Sequence, residues 1–273
     1  MQHPLPKLVT FDGQARSGKG TVVRLVKDYV REQLGRTVML IDAGQVFRVL
    51  VVVMTERGIN LDDPQAIDDY LSDEHNIATC VQRVKDVYHM PKTEREALLY
   101  TPQIGVNSAK VGARPLSQVF KDDLLRKWLR DAREEGYEVV LLDGRALEET
   151  GSMLAREGLC TYVLGLFFVC DPVVSAQRTL GRMPVPYAEL TGPFKHEVDN
   201  MIAQIETRNQ ADAERSVQPV VPPAYAARYM VNELPRELPP ATPCPAAIVD
   251  RSIELPFDTM VLPVARLVAR YIA

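Results

Sequence analysis

The stretch Asp12-Gly13-Gln14-Ala15-Arg16-Ser17-Gly18-Lys19-Gly20-Thr21 carries two turn-forming glycines, a lysine and a hydroxyl in the spacing G-x-x-x-x-G-K-G-T, directly after the apolar run Leu8 to Phe11. That is the composition of a nucleotide phosphate grip. Gly13 and Gly18 allow a turn with backbone N–H groups facing inward, the following helix lends its positive end, and Lys19 supplies a mobile cation for the terminal phosphates. The backbone of Gly13, Gln14, Ala15, Arg16, Ser17, Gly18, Lys19, Gly20 and Thr21 is the expected cradle, with Thr21 the hydroxyl beside phosphate and Mg2+. Gly20 stands where the strict pattern has Ser or Thr directly after the lysine.

Further polar groups follow other apolar runs. Val38 to Ile41 leads into Asp42-Ala43-Gly44-Gln45-Val46-Phe47-Arg48, a carboxylate at a strand tip with Arg48 one turn into the next helix. Val139 to Leu142 ends in Asp143-Gly144-Arg145, an acid placed to hold a hydrated Mg2+ beside the phosphate loop, and Asp12 is a second such acid. Arg208, Asp212 and Arg215 are spaced i, i+4, i+7, which predicts one helix face. A lysine and three arginines from separate elements suit phosphoryl transfer, whose transition state spreads negative charge over the transferred oxygens and is stabilised by positioned cations. His3, His75, His89 and His196 stand apart without metal-ligand spacing, so no metal site is expected from protein ligands alone.

Positioning these groups requires strands that end together. Leu8 to Phe11, Val38 to Ile41, Val139 to Leu142, Val163 to Val169 and Ala246 to Val249 read as buried strands, and helical patterns begin at Thr21, Gln45, Gln118, Leu147, Pro172, Phe194 and near Asp258. The alternation predicts an α/β, three-layer αβα sandwich on a five-stranded parallel sheet, with the ligand at the carboxyl ends of the strands. Residues 1–59 and 116–273 form the expected core. Residues 60–115 break the alternation as a polar, mostly helical inserted lobe with a turn at Met90-Pro91, and 181–193 reads as a short flap. The proline-rich 222–245 reads as an extended surface insertion without strand or helix.

Composition sets the outer limits. A chain of 273 residues, 46% hydrophobic, can bury one sizeable core, and a net charge of −4 argues against a nucleic-acid surface. Cys80, Cys160, Cys170 and Cys244 have no CxxC spacing and read as reduced core thiols. No leader or membrane span is expected, which points to a cytoplasmic enzyme, and a monomer is expected.

Asp12-Gly13 with GKGT, Asp42-x-Gly-x-x-Phe-Arg48, Asp143-Gly144-Arg145, and Arg208-x3-Asp212-x2-Arg215 followed by Pro219-x2-Pro222 occur in the order seen in cytidylate (CMP/dCMP) kinases, which the chain resembles over almost its whole length. Gly20 is the variant of the phosphate grip found in nucleoside monophosphate kinases, and Ile248 to Ser252 with the last helix resembles the family's final strand and helix. The resemblance implies a P-loop kinase core, a lobe at 60–115 for the acceptor nucleotide and a lid at 181–193. It implies that Arg48, Arg145, Arg208 and Arg215 hold the acceptor phosphate, that Asp212 meets the sugar, that Arg178 lies against ATP, and that Lys19, Arg145, Arg178 and Arg208 are the catalytic cations.

Where family members read cytosine with a serine, an arginine and an aspartate, this chain has Ala109, Gln118 and Ala146. Ser108 or Lys121 are the alternative partners if the alignment shifts. The reading is an ATP- and Mg2+-dependent nucleoside monophosphate kinase with CMP or dCMP as leading acceptor, UMP or a deoxynucleotide next. The alternatives are a P-loop kinase for another small molecule and a nucleotide-binding regulator without transfer. Loose discrimination among bases is expected, because a site that reads by hydrogen bonds loses selectivity when its partners are replaced.

Overall fold

The computed structural model describes residues 3–273. The chain runs β1 (Lys7–Gly13), α1 (Lys19–Glu32), β2 (Val38–Asp42), α2 (Ala43–Glu56), α3 (Pro64–Leu71), α4 (Glu74–His89), α5 (Lys92–Leu99), α6 (Pro102–Gly112), α7 (Pro115–Glu134), β3 (Val139–Asp143), α8 (Leu147–Arg156), β4 (Thr161–Val169), α9 (Pro172–Thr179), α10 (Gly192–Ala213), β5 (Ala227–Met230), β6 (Ala246–Asp250) and α11 (Phe257–Ile272). It divides into two compact units. The first holds residues up to Ile41, Leu129–Glu214 and Gln218–Ala273; the second holds Asp42–Trp128 and Arg215–Val217.

The first unit is built on a sheet of order β2-β3-β1-β4-β6-β5. β1 pairs in parallel with β3 and β4, and β6 with β4 and β5. The alternation of β4 explains the layering: Phe168 joins Val9, Phe11, Val22, Val26 and Val264 in one core, whereas Phe167 and Val169 join Ala146 and Val220 on the opposite face. Helices α1 and α11 cover the first face, and α8 packs on β1 and β4 from the other. All five predicted strands are present, and the connection from β1 outward to β2 and back through β3 to β4 places a topological switch beside β1, where ligands bind in open α/β sheets.

The sheet has six strands, not five. The sixth is β5, inside the stretch read as an extended surface insertion. Its prolines cluster at 222–223 and 235–245, and the proline-free window between them keeps the N–H groups needed to pair Ala227 to Met230 with Ala247 to Asp250 on the sheet edge. Parallel neighbours need a crossover, and the proline-rich segment supplies it. Val231 and Leu238 are buried in the core with Met260 and Val264, and Tyr271 Oη accepts from Leu238 N at 2.9 Å.

The second unit is helical. The segment 60–115 is less polar inside than its composition implies: Ile67, Leu71, Cys80, Val84, Val87 and Leu99 form one core with Val49, Leu50 and Val53 of α2. Asp63, Asp73 and Thr101 cap α3, α4 and α6 through their side chains, and Met90-Pro91 makes the turn between α4 and α5. Among the described residues, no helix is long and apolar enough to cross a membrane.

Two measurements probe this packing. Leu238→Ala is expected to cost about 2–5 kcal/mol in denaturant unfolding; a surface insertion would show no change. All four cysteines are buried, and burial pushes the thiols of Cys80 and Cys170 up to about 11 and those of Cys160 and Cys244 up to about 12. A thiolate-directed reagent at pH 8 is therefore expected to leave the native protein unlabelled and to modify four cysteines after unfolding; rapid native labelling contradicts the burial.

Candidate active site

The loop between β1 and α1 is forced into shape from below. Gly13 has φ +143, and a Cβ there would lie 2.2 Å from Phe168 O, so only glycine lets β1 pass β4 this closely. Phe168 O accepts from Gln14 N at 2.9 Å. Asp12 fixes the loop from within, one oxygen accepting from Gly13 N and the other from Leu147 N, both at 2.6 Å. Burial pushes its carboxyl above the usual carboxylate range, against the pull of those amides and Lys19. From above, Asn209 Oδ1 accepts from Ala15 N at 2.8 Å and Ser175 Oγ donates to Arg16 O at 2.6 Å.

These tethers leave the centre of the loop unspent. Among the described residues, the backbone N–H groups of Arg16, Ser17, Gly18, Lys19 and Gly20 meet no protein acceptor, and Ser17 Oγ is buried without a partner. They lie at the N-terminus of α1, which starts after a left-handed Gly18 (φ 78). Unpartnered amides, a helix N-terminus and a lysine are the parts of an anion cradle. Lys19 Nζ forms an ion pair with Asp143 Oδ1 and donates to Gly144 O at 2.5 Å, so the loop's cation rests on the acid that ends β3. Thr21 is exposed on the first turn of α1.

A second charged group lies in the same unit. Asp212 of α10 is buried, pairs with Arg145 Nη1, and has Arg208 Nε at 3.9 Å. A cleft of about 290 Å3 is lined by Gln14, Phe167, Asn209, Asp212, Val220 and Arg228 among others, so it touches both the loop and this carboxylate. Arg178 lies against the segment after β6: its guanidinium donates to Arg251 O and Ile253 O, each at 2.7 Å, and to Glu254 Oε2 at 2.8 and 3.0 Å.

The remaining predicted residues belong to the second unit. Arg48 donates to Leu99 O at 2.9 Å and lies 4.6 Å from the Tyr100 ring centroid, in cation–π geometry. Asp42 caps α2 through Gln45 N at 3.2 Å and accepts from Tyr100 Oη at 3.1 Å. Gln118 is buried and its amide donates to Gly112 O; Ser108 Oγ donates to Gly105 O at 2.9 Å; Lys121 is buried against Asp122 at 2.9 Å. Arg215 lies beyond the end of α10 at Ala213, so the i+7 spacing does not put it on the helix face of Arg208 and Asp212. Pro219 and the bond from Val220 N to Asp212 O at 3.0 Å turn the chain away.

Sequence reading missed Asn209, Ser175 and Arg251. An asparagine or serine inside a helix has no spacing signature. Arg251 follows Asp250, the acid that ends the apolar run of β6 as Asp12 and Asp143 end theirs, and so sits one residue beyond that sign.

The sequence model of the family described as cytidylate kinase matches residues 9–232. The cytidylate kinase of Shewanella pealeana is 26% identical over 216 residues, covering 79% of this chain and 83% of the relative. That of Colwellia psychrerythraea is 24% identical over 81% of this chain and 87% of its own length, and that of Pseudomonas fluorescens 23% over 83% and 89%. The match takes in the phosphate loop, the acid and arginine after β3, and the arginine–aspartate pair of α10; the chain belongs to the cytidylate kinase family.

Proposed function

We propose that the protein transfers the γ-phosphoryl group of ATP to CMP or dCMP, giving the diphosphate and ADP. The observation that carries this reading is the cradle of unspent amides around Lys19, a cation held in reserve by Asp143. The donor's phosphates replace Asp143 as the partner of Lys19, and the amides from Arg16 to Gly20 take the remaining oxygens. The released Asp143 and the Thr21 hydroxyl are oxygen donors of the kind that hold Mg2+ with its waters and the phosphates. When bound, the ion neutralises charge on the donor phosphates. Asp12 serves chiefly by fixing the loop.

In the acceptor half, Arg145 and Arg208 give up Asp212 for the acceptor phosphate, aided by Arg48 and Arg215, and Asp212 is left for the sugar hydroxyls. The acceptor phosphate is already anionic, so no general base is needed. Residues 60–115 serve as the acceptor lobe within the core of 1–59 and 116–273, and 181–193 as the lid that excludes water. Arg178 acts through the segment after β6 that it holds. The working form is a cytoplasmic monomer.

Base recognition is the part of this reading that departs from the family. Ala109 and Ala146 present no hydrogen-bonding side-chain group, and Gln118 spends an amide hydrogen on Gly112 O. A pocket with few free polar partners separates similar ligands by about 10 to 200-fold, against roughly 10⁴ or more for a fully hydrogen-bonding site. Coupled ADP assays across the ribo- and deoxynucleoside monophosphates are expected to give kcat/KM ratios between pyrimidines in the lower range. A ratio above about 10⁴ for CMP contradicts this, and the absence of acceptor-stimulated ADP release contradicts the transfer reading.

Two variants test the cations. Lys19→Ala is expected to lower kcat by about 10³ or more with the fold intact, since the lysine follows charge onto the moving group; an unchanged kcat sinks the assignment. Arg145→Lys is expected to lose at least about 10-fold in kcat/KM, because an ammonium lacks the bidentate fork. Near-normal kinetics would place Arg145 outside the acceptor site.

A further inference from the structure

Arg251, the first residue after β6, lies outside the segment matched by the family model, yet it packs against the phosphate loop. It is buried, and its Nη1 would lie 2.1 Å from a Cβ placed on Gly18. Among the described residues its guanidinium makes a single hydrogen bond, Nη1 to Ser17 O at 3.3 Å, its Nε is buried without a partner, and no carboxylate lies within ion-pair distance. The adjacent acid is already occupied: Asp250 accepts from Arg228 at 2.5 and 2.9 Å and from Ser252 at 2.5 and 2.9 Å. A second cation reinforces the frustration, since Arg178 grips Arg251 O. Burial, followed by that neighbouring cation, pulls the Arg251 guanidinium below its usual range, against weaker opposing pulls from Cys170 and Glu254.

A buried cation without an ion-pair partner is costly and persists where a counter-anion is supplied. Its position against Ser17 and Gly18, beside the partnerless Ser17 hydroxyl, indicates where that anion sits. We propose that Arg251 is a donor-binding residue whose counter-ion is the polyphosphate of the bound nucleotide, reached from behind the Ser17–Gly18 turn. The proposal rests on the reading of the loop as the ATP site. It assigns the segment after β6 a part in donor affinity that Lys19 does not supply: Lys19 follows the transferred phosphoryl group, whereas Arg251 holds the donor in ground and transition state alike. Its signature is therefore an effect on KM for ATP with kcat nearly preserved.

The test is Arg251→Met, which keeps most of the buried stem and removes the charge, measured by thermal unfolding and by steady-state kinetics. Without ligand, Arg251→Met is expected to be as stable as wild type or more so, because an unmatched cation has been removed. Its KM for MgATP is expected to rise about 10-fold or more, with kcat within about threefold, and the thermal shift given by inorganic tripolyphosphate is expected to shrink. Arg251→Lys is expected to recover part of the ATP affinity at low salt. Arg251→Met that fails to fold, or that loses stability while keeping the wild-type KM, makes Arg251 a structural residue and overturns the proposal. Equal stabilisation of wild type and Arg251→Met by tripolyphosphate also overturns it. Wild-type protein that gains no stability from MgATP instead overturns the reading of the loop on which the proposal rests.

Discussion

The structure depends on one close approach of backbone to backbone. Phe168 O of β4 occupies the place that a side chain on Gly13 would need, and the same carbonyl takes the N–H of Gln14. Because β1 and β4 cannot separate without breaking the sheet, the chain leaving β1 has one direction open to it. Asp12, Asn209 and Ser175 then satisfy the polar groups at the margins of the loop, and among the described residues the amides from Arg16 to Gly20 are left without a protein acceptor. The parallel pairing of β1 with β4 and these tethers hold the loop in place before any ligand arrives, the kind of preorganisation that makes charge stabilisation effective.

Around that cradle, cations wait on carboxylates. Lys19 rests on Asp143, and Arg145 and Arg208 share Asp212. Paired in this way, half-buried charges avoid the cost of desolvation without a partner, and an incoming phosphate has only to take over an existing cation. In the proposed reaction each exchange also frees an acid for a second task, Asp143 beside the donor phosphates and Asp212 beside the acceptor sugar. Arg251 is the exception that clarifies the rule, because its neighbouring acid is already spent and the nucleotide becomes its counter-ion.

Much of this was legible in the sequence, and the physical reason is locality. The phosphate loop is contiguous, its glycines are dictated by backbone conformation, and buried parallel strands announce themselves as apolar runs ending in acids, as at Asp12 and Asp143. What was illegible depends on tertiary contacts. Ala227 to Met230 pairs with β6 only because Val231 and Leu238 anchor the proline-rich crossover in the core, and composition hid that anchoring. Arg215 kept helical spacing after the helix had ended. The helices of 60–115 looked polar because each buries only a narrow stripe, from Ile67 to Val111, in a core shared with α2. Asn209 tethers the loop across 194 residues of sequence, a separation at which no spacing rule operates.

The central claim is that Lys19 is a stored cation released from Asp143 by the donor nucleotide. A crystal structure of the complex with Mg2+, CMP and a non-hydrolysable ATP analogue tests it most directly. The account predicts that Lys19 Nζ leaves Asp143 and lies within hydrogen-bond distance of the terminal phosphate oxygens, with the amides from Arg16 to Gly20 pointing at the same group. Phosphates bound away from the loop, with Lys19 still on Asp143, would contradict it.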